Sequence, residues 1–297
     1  MDSICGIIVP VITPFHDDES LNEEELKNQI NRQISAGVHG IFCLGTNGEF
    51  FSLTGQEKLR VIQVTVEAAG HRCPVFAGTG CTTTRETIHL SLQAKDAGAD
   101  VLSIICPYFA VASQEEIYRH YAAISEAVDM PIVLYNIPAR TGNSITPSTL
   151  KRLTKVANIV AVKDSSGNFD NMLQYLEVCA GTDIKVISGN DSLILWNLIA
   201  GGCGGIAGCA NVLPHTLVSI YENYIAGDFE AAKRYQNCLR PLRNVFRYGN
   251  PNTVVKMAVA MMGYPVGACR SPFNQLCEEG VRELKTVLKN YADQGIR

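Results

Sequence analysis

Along the 297-residue chain, short continuous apolar runs alternate with stretches whose apolar residues recur every three or four positions. The first pattern suits a strand buried on both faces, and the second a helix lying against such a sheet. Gly6 to Val11 reads as a first strand, and Glu23 to Ser35 as a helix with Leu26, Ile30 and Ile34 on one side. Val38 to Leu44 is a second strand. Thr54-Gly-Gln-Glu57 has the form of a capping box, in which hydroxyl and carboxylate each take an N–H at the start of a helix, here running through Ala69. Strands continue at Val75 to Ala77, Asp100 to Ile105, Pro131 to Tyr135, Ile159 to Val162, Lys185 to Ile187 and Gly204 to Ala207. Helices are predicted between them: Thr84 to Ala97, the capping box Ser113-Gln-Glu-Glu116 through Val128, a turn opened by Thr146-Pro147, Asn171 to Cys179, and around Ser192 to Ile199.

Eight such units of about 25 to 30 residues predict a parallel (β/α)8 barrel, the TIM barrel. An open doubly wound sheet would place a nucleotide fingerprint after the first strand, where Pro10-Val-Ile-Thr-Pro14 stands instead. Gly202-x-Gly204-x-x-Ala207 precedes a strand and is assigned to close strand packing. Gly78-Thr-Gly80 is read as a tight turn near the pocket. After about Asn211 the strand signals stop, and helical patterns run over Thr216 to Tyr224, Asp228 to Val245, Asn252 to Met262 and Asn274 to Tyr291. Residues 1–226 are therefore expected to form the barrel and 227–297 a small C-terminal helical domain.

Composition narrows the function classes. With 46% hydrophobic and 18% charged residues the chain is an ordinary globular one, and its formal charge of -4 supplies no basic field for nucleic acid. No apolar run approaches the roughly 20 residues of a membrane span. The start, Met1-Asp2-Ser3-Ile4-Cys5, has neither a basic segment nor an apolar signal core, so a cytoplasmic location is expected. The 11 cysteines are scattered, without C-x-x-C spacing, and Cys43, Cys106 and Cys203 fall in apolar runs, as free buried thiols do. The 6 histidines show no metal-ligand spacing, so no metal is expected. The acidic runs Asp17 to Glu19 and Glu23 to Glu25 read as solvated positions, the second in a helix's first turn where the dipole favours acid.

Active sites of such barrels lie at the carboxyl ends of the strands. The second strand is followed by Gly45-Thr46-Asn47-Gly48-Glu49, the fourth by Pro107-Tyr108-Phe109, the fifth by Tyr135-Asn136-Ile-Pro-Ala-Arg140-Thr-Gly142, the sixth by Lys163, and the seventh by Ser188-Gly189-Asn190-Asp191. A lysine at the end of a buried strand is partly neutral when desolvated and then attacks carbonyl carbon. A tyrosine hydroxyl shuttles protons, glycine-flanked N–H groups hold a carboxylate, and an arginine holds a second one through its forked donors. Singly these residues are commonplace; together at five strand ends they describe one job.

These motifs, with Gly78-Thr-Gly80, Leu134-Tyr-Asn-Ile-Pro138 and Gly167-Asn168, resemble the dihydrodipicolinate synthase / N-acetylneuraminate lyase family of pyruvate Schiff-base aldolases over nearly the full length. The resemblance implies that Lys163 forms an imine with pyruvate and needs no other cofactor. It implies that Tyr135 moves the substrate proton with Thr46 as relay, that Thr46 and Asn47 hold the pyruvate carboxylate, and that Gly189 and Ile206 line the pocket. Arg140 matches the synthase branch, where an arginine here binds the carboxylate of aspartate semialdehyde on the lysine and diaminopimelate route. Two positions depart from that branch. Phe109 stands where a second relay tyrosine is lent across a tight-dimer interface, and Asn47 where threonine is usual. Gly55 and Lys58 stand where lysine-sensitive members can carry histidines. The alternatives are a 2-keto-3-deoxy sugar-acid or 4-hydroxy-2-oxo acid aldolase, and a non-catalytic barrel that binds keto acids. The family also implies a homotetramer built as a dimer of dimers.

Overall fold

The computed structural model describes residues 4–297; Met1 to Ser3, part of the segment read as lacking an export signal, lie outside the described residues. Eight parallel strands close into a barrel in chain order: β1 Gly6–Pro10, β2 Gly40–Cys43, β3 Val75–Gly78, β4 Val101–Ile105, β5 Ile132–Asn136, β6 Ile159–Asp164, β7 Lys185–Ser188 and β8 Gly204–Ile206. The seam is β1 against β8, with Gly6 opposite Gly204. A Cβ on Gly204 would stand 2.1 Å from the Gly6 carbonyl oxygen, so the close packing expected of these glycines is real. Gly78 is a strand residue, not a turn, and a Cβ there would meet the Leu44 carbonyl oxygen at 2.2 Å.

The outer ring comprises α1 Glu23–Ser35, α2 Gly55–Ala69, α3 Thr84–Asp96, α4 Gln114–Ala127, α5 Pro138–Thr141, α6 Pro147–Leu153, α7 Phe169–Cys179, α8 Ile194–Ile199 and α9 Pro214–Ile225. Both capping boxes form, Thr54 with Glu57 and Ser113 with Glu116. The short α5 was not expected; Pro138 opens it and left-handed Gly142 closes it. Beyond the ring come α10 Phe229–Cys238, α11 Arg240–Val245, α12 Pro251–Met261 and α13 Glu278–Asp293. The single helix predicted over Asp228 to Val245 breaks after Cys238 because Pro241 lacks the N–H that would continue it. The last helix starts at Glu278, four residues later than predicted. Glu25 corrects another expectation: it is buried and accepts from Gln29 at 2.6 Å and Asn28 at 3.2 Å.

Each strand sends one residue into the barrel's inner layer: Ile8, Phe42, Phe76, Val101, Val133, Ala161, Ile187 and Ile206. Because side chains alternate along a strand, the residues two further on, Tyr135 after Val133 and Lys163 after Ala161, also point inward, one layer nearer the carboxyl ends. The apolar plug is thus the floor on which the polar site rests. No disulfide joins the cysteines among the described residues; Cys43 and Cys106 are buried as expected and Cys203 partly so.

Candidate active site

Lys163 lies inside β6 instead of after it, since the strand runs on to Asp164. The ladder sets Tyr135 directly opposite Lys163. The intervening Asp164 points the other way, where Asn136 Nδ2, Ser166 and Asn171 donate to its carboxylate. That network fixes the end of β6 from behind, and with it the lysine's direction.

The Lys163 side chain is 3% exposed. Its ammonium nitrogen sits 3.7 Å from the centre of the Tyr135 ring and 5.1 Å from that of Phe42. Burial pulls its pKa below the ordinary lysine value, and Tyr135 and the Asp191 charge offset only part of that. The amine is therefore neutral more readily than a surface lysine, which is the form that attacks a ketone. The Tyr135 hydroxyl lies 3.1 Å from Thr46 Oγ1. Thr46 belongs to the loop after β2, whose backbone is folded on itself by Gly48 N donating to Gly45 O and Glu49 N to Thr46 O.

All the residues singled out from sequence, Thr46, Asn47, Tyr135, Arg140, Lys163, Gly189 and Ile206, line one cavity of about 220 Å³. Gly189 is there because nothing larger fits: a Cβ would lie 1.9 Å from Ser165 Oγ and 2.9 Å from Lys163 Cε. Arg140 is exposed on α5 at the rim, its Nη2 donating to Asn250 Oδ1 at 3.4 Å. An adjoining cavity of about 210 Å³ shares Thr46 and Arg140 and is walled by Phe50, Phe51, Tyr108 and Phe273.

Phe109 does not join them. It is 99% exposed at a loop tip with φ of 77°, while Tyr108 beside it packs edge-on against Phe50. A larger cavity of about 610 Å³, lined by Lys58, Arg85, His89 and Tyr108 among others, lies outside the lysine site.

Several lining residues were given no role from the sequence. Asp191, 3% exposed, accepts from Gly208 N at 3.1 Å and Cys209 N at 3.0 Å and pairs with Arg243 at 3.6 Å. Arg243, Phe246 and Asn252 come from the C-terminal helices. Ser165 Oγ is buried and has no hydrogen-bond partner among the described residues. Only Ser165 left a usable signal, standing two residues beyond Lys163 and so on the same inward side. The others are more than twenty residues from any catalytic motif or look like loop polarity.

No helix among the described residues is long and apolar enough to cross a membrane. The sequence matches the Dihydrodipicolinate synthetase family over residues 3–291. It is 36% identical over 288 residues to the 4-hydroxy-tetrahydrodipicolinate synthase of Methanospirillum hungatei JF-1, covering 96% of this chain and 99% of that protein. It is 39% identical over 287 residues to the synthase of the same name from Citrifermentans bemidjiense, covering 96% and 98%. The solved structure of chloride-inhibited dihydrodipicolinate synthase from Acinetobacter baumannii, complexed with pyruvate, superposes with a TM-score of 0.94 at 34% identity, over 97% of this chain and 99% of that one. An eight-stranded barrel with a buried lysine facing a tyrosine, matched over this length, belongs to the dihydrodipicolinate synthetase family.

Proposed function

We propose that this chain is a 4-hydroxy-tetrahydrodipicolinate synthase, condensing pyruvate with aspartate semialdehyde through an imine on Lys163. The observation that carries the assignment is the desolvated amine stacked 3.7 Å over Tyr135, whose hydroxyl meets Thr46 Oγ1 at 3.1 Å. Neutral Lys163 adds to the pyruvate ketone and the carbinolamine loses water, leaving a cationic imine that draws electrons from the adjacent methyl. Tyr135, with Thr46 as its relay, takes a methyl proton to give the enamine. That carbon then attacks the aldehyde, whose oxygen takes the proton back; the amine of the semialdehyde then displaces Lys163 from the imine carbon, closing the ring and freeing the lysine. Thr46 and Asn47 hold the pyruvate carboxylate over Gly189 and Ile206, and Arg140 at the rim receives the carboxylate of the second substrate.

Incubation with pyruvate and borohydride should trap a secondary amine on Lys163, read as a mass increase on the peptide that contains it. An adduct on another lysine, or none, overturns the assignment; pyruvate binding without an adduct would favour a barrel that only binds keto acids. A second reading, an aldolase for hydroxylated 2-keto acids, is favoured by Asn47 and by the unpartnered Ser165 hydroxyl, which an extra substrate hydroxyl would satisfy. Turnover with hydroxy-aldehydes and none with aspartate semialdehyde would establish it.

Assembly as a homotetramer of tight dimers follows the family pattern. It is supported by the outward apolar loop carrying Phe109, 99% exposed, and Val111, 87% exposed. We take the chain to be cytoplasmic, in keeping with 11 free thiols. Residues 227–297 serve as a helical extension that lends Arg243, Phe246 and Asn252 to the cavity wall.

A further inference from the structure

The loop that carries Thr46 and Asn47 ends in a residue that faces away from the cavity. Glu49 adopts a left-handed φ of 54°, disfavoured for a residue with a Cβ. Its carboxylate is 1% exposed; Oε1 accepts from Lys256 Nζ at 2.8 Å and Oε2 from Arg270 N at 3.0 Å. Lys256, also 1% exposed, rests 3.9 Å over the Phe15 ring. One turn earlier on the same face of α12, Asn252 Nδ2 donates to the Thr46 carbonyl at 2.8 Å. A single helix from the C-terminal extension therefore grips the catalytic loop at two points, Thr46 and Glu49. Thr13 Oγ1 adds a third hold, donating to Gly48 O at 2.7 Å.

Neither Glu49 nor Lys256 lines the cavity. A buried ion pair is a poor stabiliser compared with apolar packing, because desolvation of both charges offsets their attraction. What this one supplies is geometry: with Glu49 anchored, the four-residue span back to Thr46 has little freedom to move.

We propose that Glu49 and Lys256 are positioning residues, clamping the loop so that Thr46 Oγ1 stays within reach of the Tyr135 hydroxyl during proton transfer. This rests on the imine chemistry proposed above. Lys163 is carried by a barrel strand and keeps its place when the loop loosens; once saturating pyruvate offsets any weaker hold by Thr46 and Asn47, loosening the clamp should spare imine formation and slow proton removal. The two are separable. Borohydride trapping reports the imine, and exchange of pyruvate methyl protons with D2O, followed by proton NMR, reports enamine formation.

At saturating pyruvate, the trapped adduct in Lys256→Met should persist at the wild-type yield while methyl exchange slows about 10- to 100-fold, the scale expected for a small misplacement of a catalytic group. Lys256→Arg should recover most of the rate. In a Thr46→Val background, Lys256→Met should cause no further slowing, because its effect runs through Thr46. Should Lys256→Met not fold, the Glu49→Gln, Lys256→Met pair, which strands no charge, carries the same expectation. Exchange at the wild-type rate in either folded variant, or equal slowing with and without Thr46, would overturn the positioning role. Absence of a Lys163 adduct in the unaltered enzyme would instead overturn the functional assignment on which it rests.

Discussion

Tyr135 and Lys163 meet because β5 and β6 are in parallel register and each residue lies two positions beyond an inward apolar one, Val133 and Ala161. In the mechanism proposed above, their pairing divides the work between an amine that binds and a phenol that moves protons. Tyr135→Phe should therefore still yield the borohydride adduct, while kcat falls by about 10²–10⁴-fold, the usual range for losing a general acid–base. Steady-state rates beside adduct mass measure both; an unchanged kcat would remove Tyr135 from the mechanism. Lys163 was legible in the sequence because its place after a β-branched run coincided with compatible chemistry at four other strand ends. Asp191 was not. Its carboxylate serves Gly208 N, Cys209 N and Arg243, partners at least seventeen residues away that the fold alone brings near.

Helix starts were the most readable elements, because a capping box is chemistry confined to four residues. Ser113 accepts from Glu116 N, and the Glu116 carboxylate accepts from Ser113 N at 2.7 Å, as its sequence predicts. Ser113→Ala should lower stability by about 1 kcal/mol, seen as a shift in urea midpoint with unchanged m-value; no shift would mean that tertiary packing alone holds the helix start. Strand ends were less readable. β5 and β6 each extend past the predicted limit, since Asn136 and Asp164 look like loop residues until their mutual hydrogen bond at 2.9 Å is seen. The break at Pro241 could have been read from the proline itself, but the apolar spacing on either side continued in phase.

On the scale of the whole molecule, the barrel was inferred from the count of strand–helix units, and closure at the β1–β8 seam follows from the backbone-to-backbone approach of Gly6 and Gly204. The proposed assembly left a fainter trace. An aromatic side chain 99% exposed on a turn with φ of 77° gains nothing for an isolated protomer. Phe109→Asp should shift the protein toward the protomer in analytical ultracentrifugation, and an unaltered distribution would mean that this loop is not buried between copies. The C-terminal helices carried no chemical motif, and only the coordinates reveal Asn252 and Lys256 reaching the loop after β2.

The contact at Gly189 limits how this enzyme can be altered. Ser165 Oγ and Lys163 Cε already occupy the space a Cβ would need, at 1.9 Å and 2.9 Å, so no side chain at 189 fits without displacing them. Directed evolution toward other aldehydes has room at Arg140, Arg243 and Phe246, whose side chains also line the cavity. Residue 189 offers no such latitude: any replacement would press on Lys163 before it touched selectivity for the second partner.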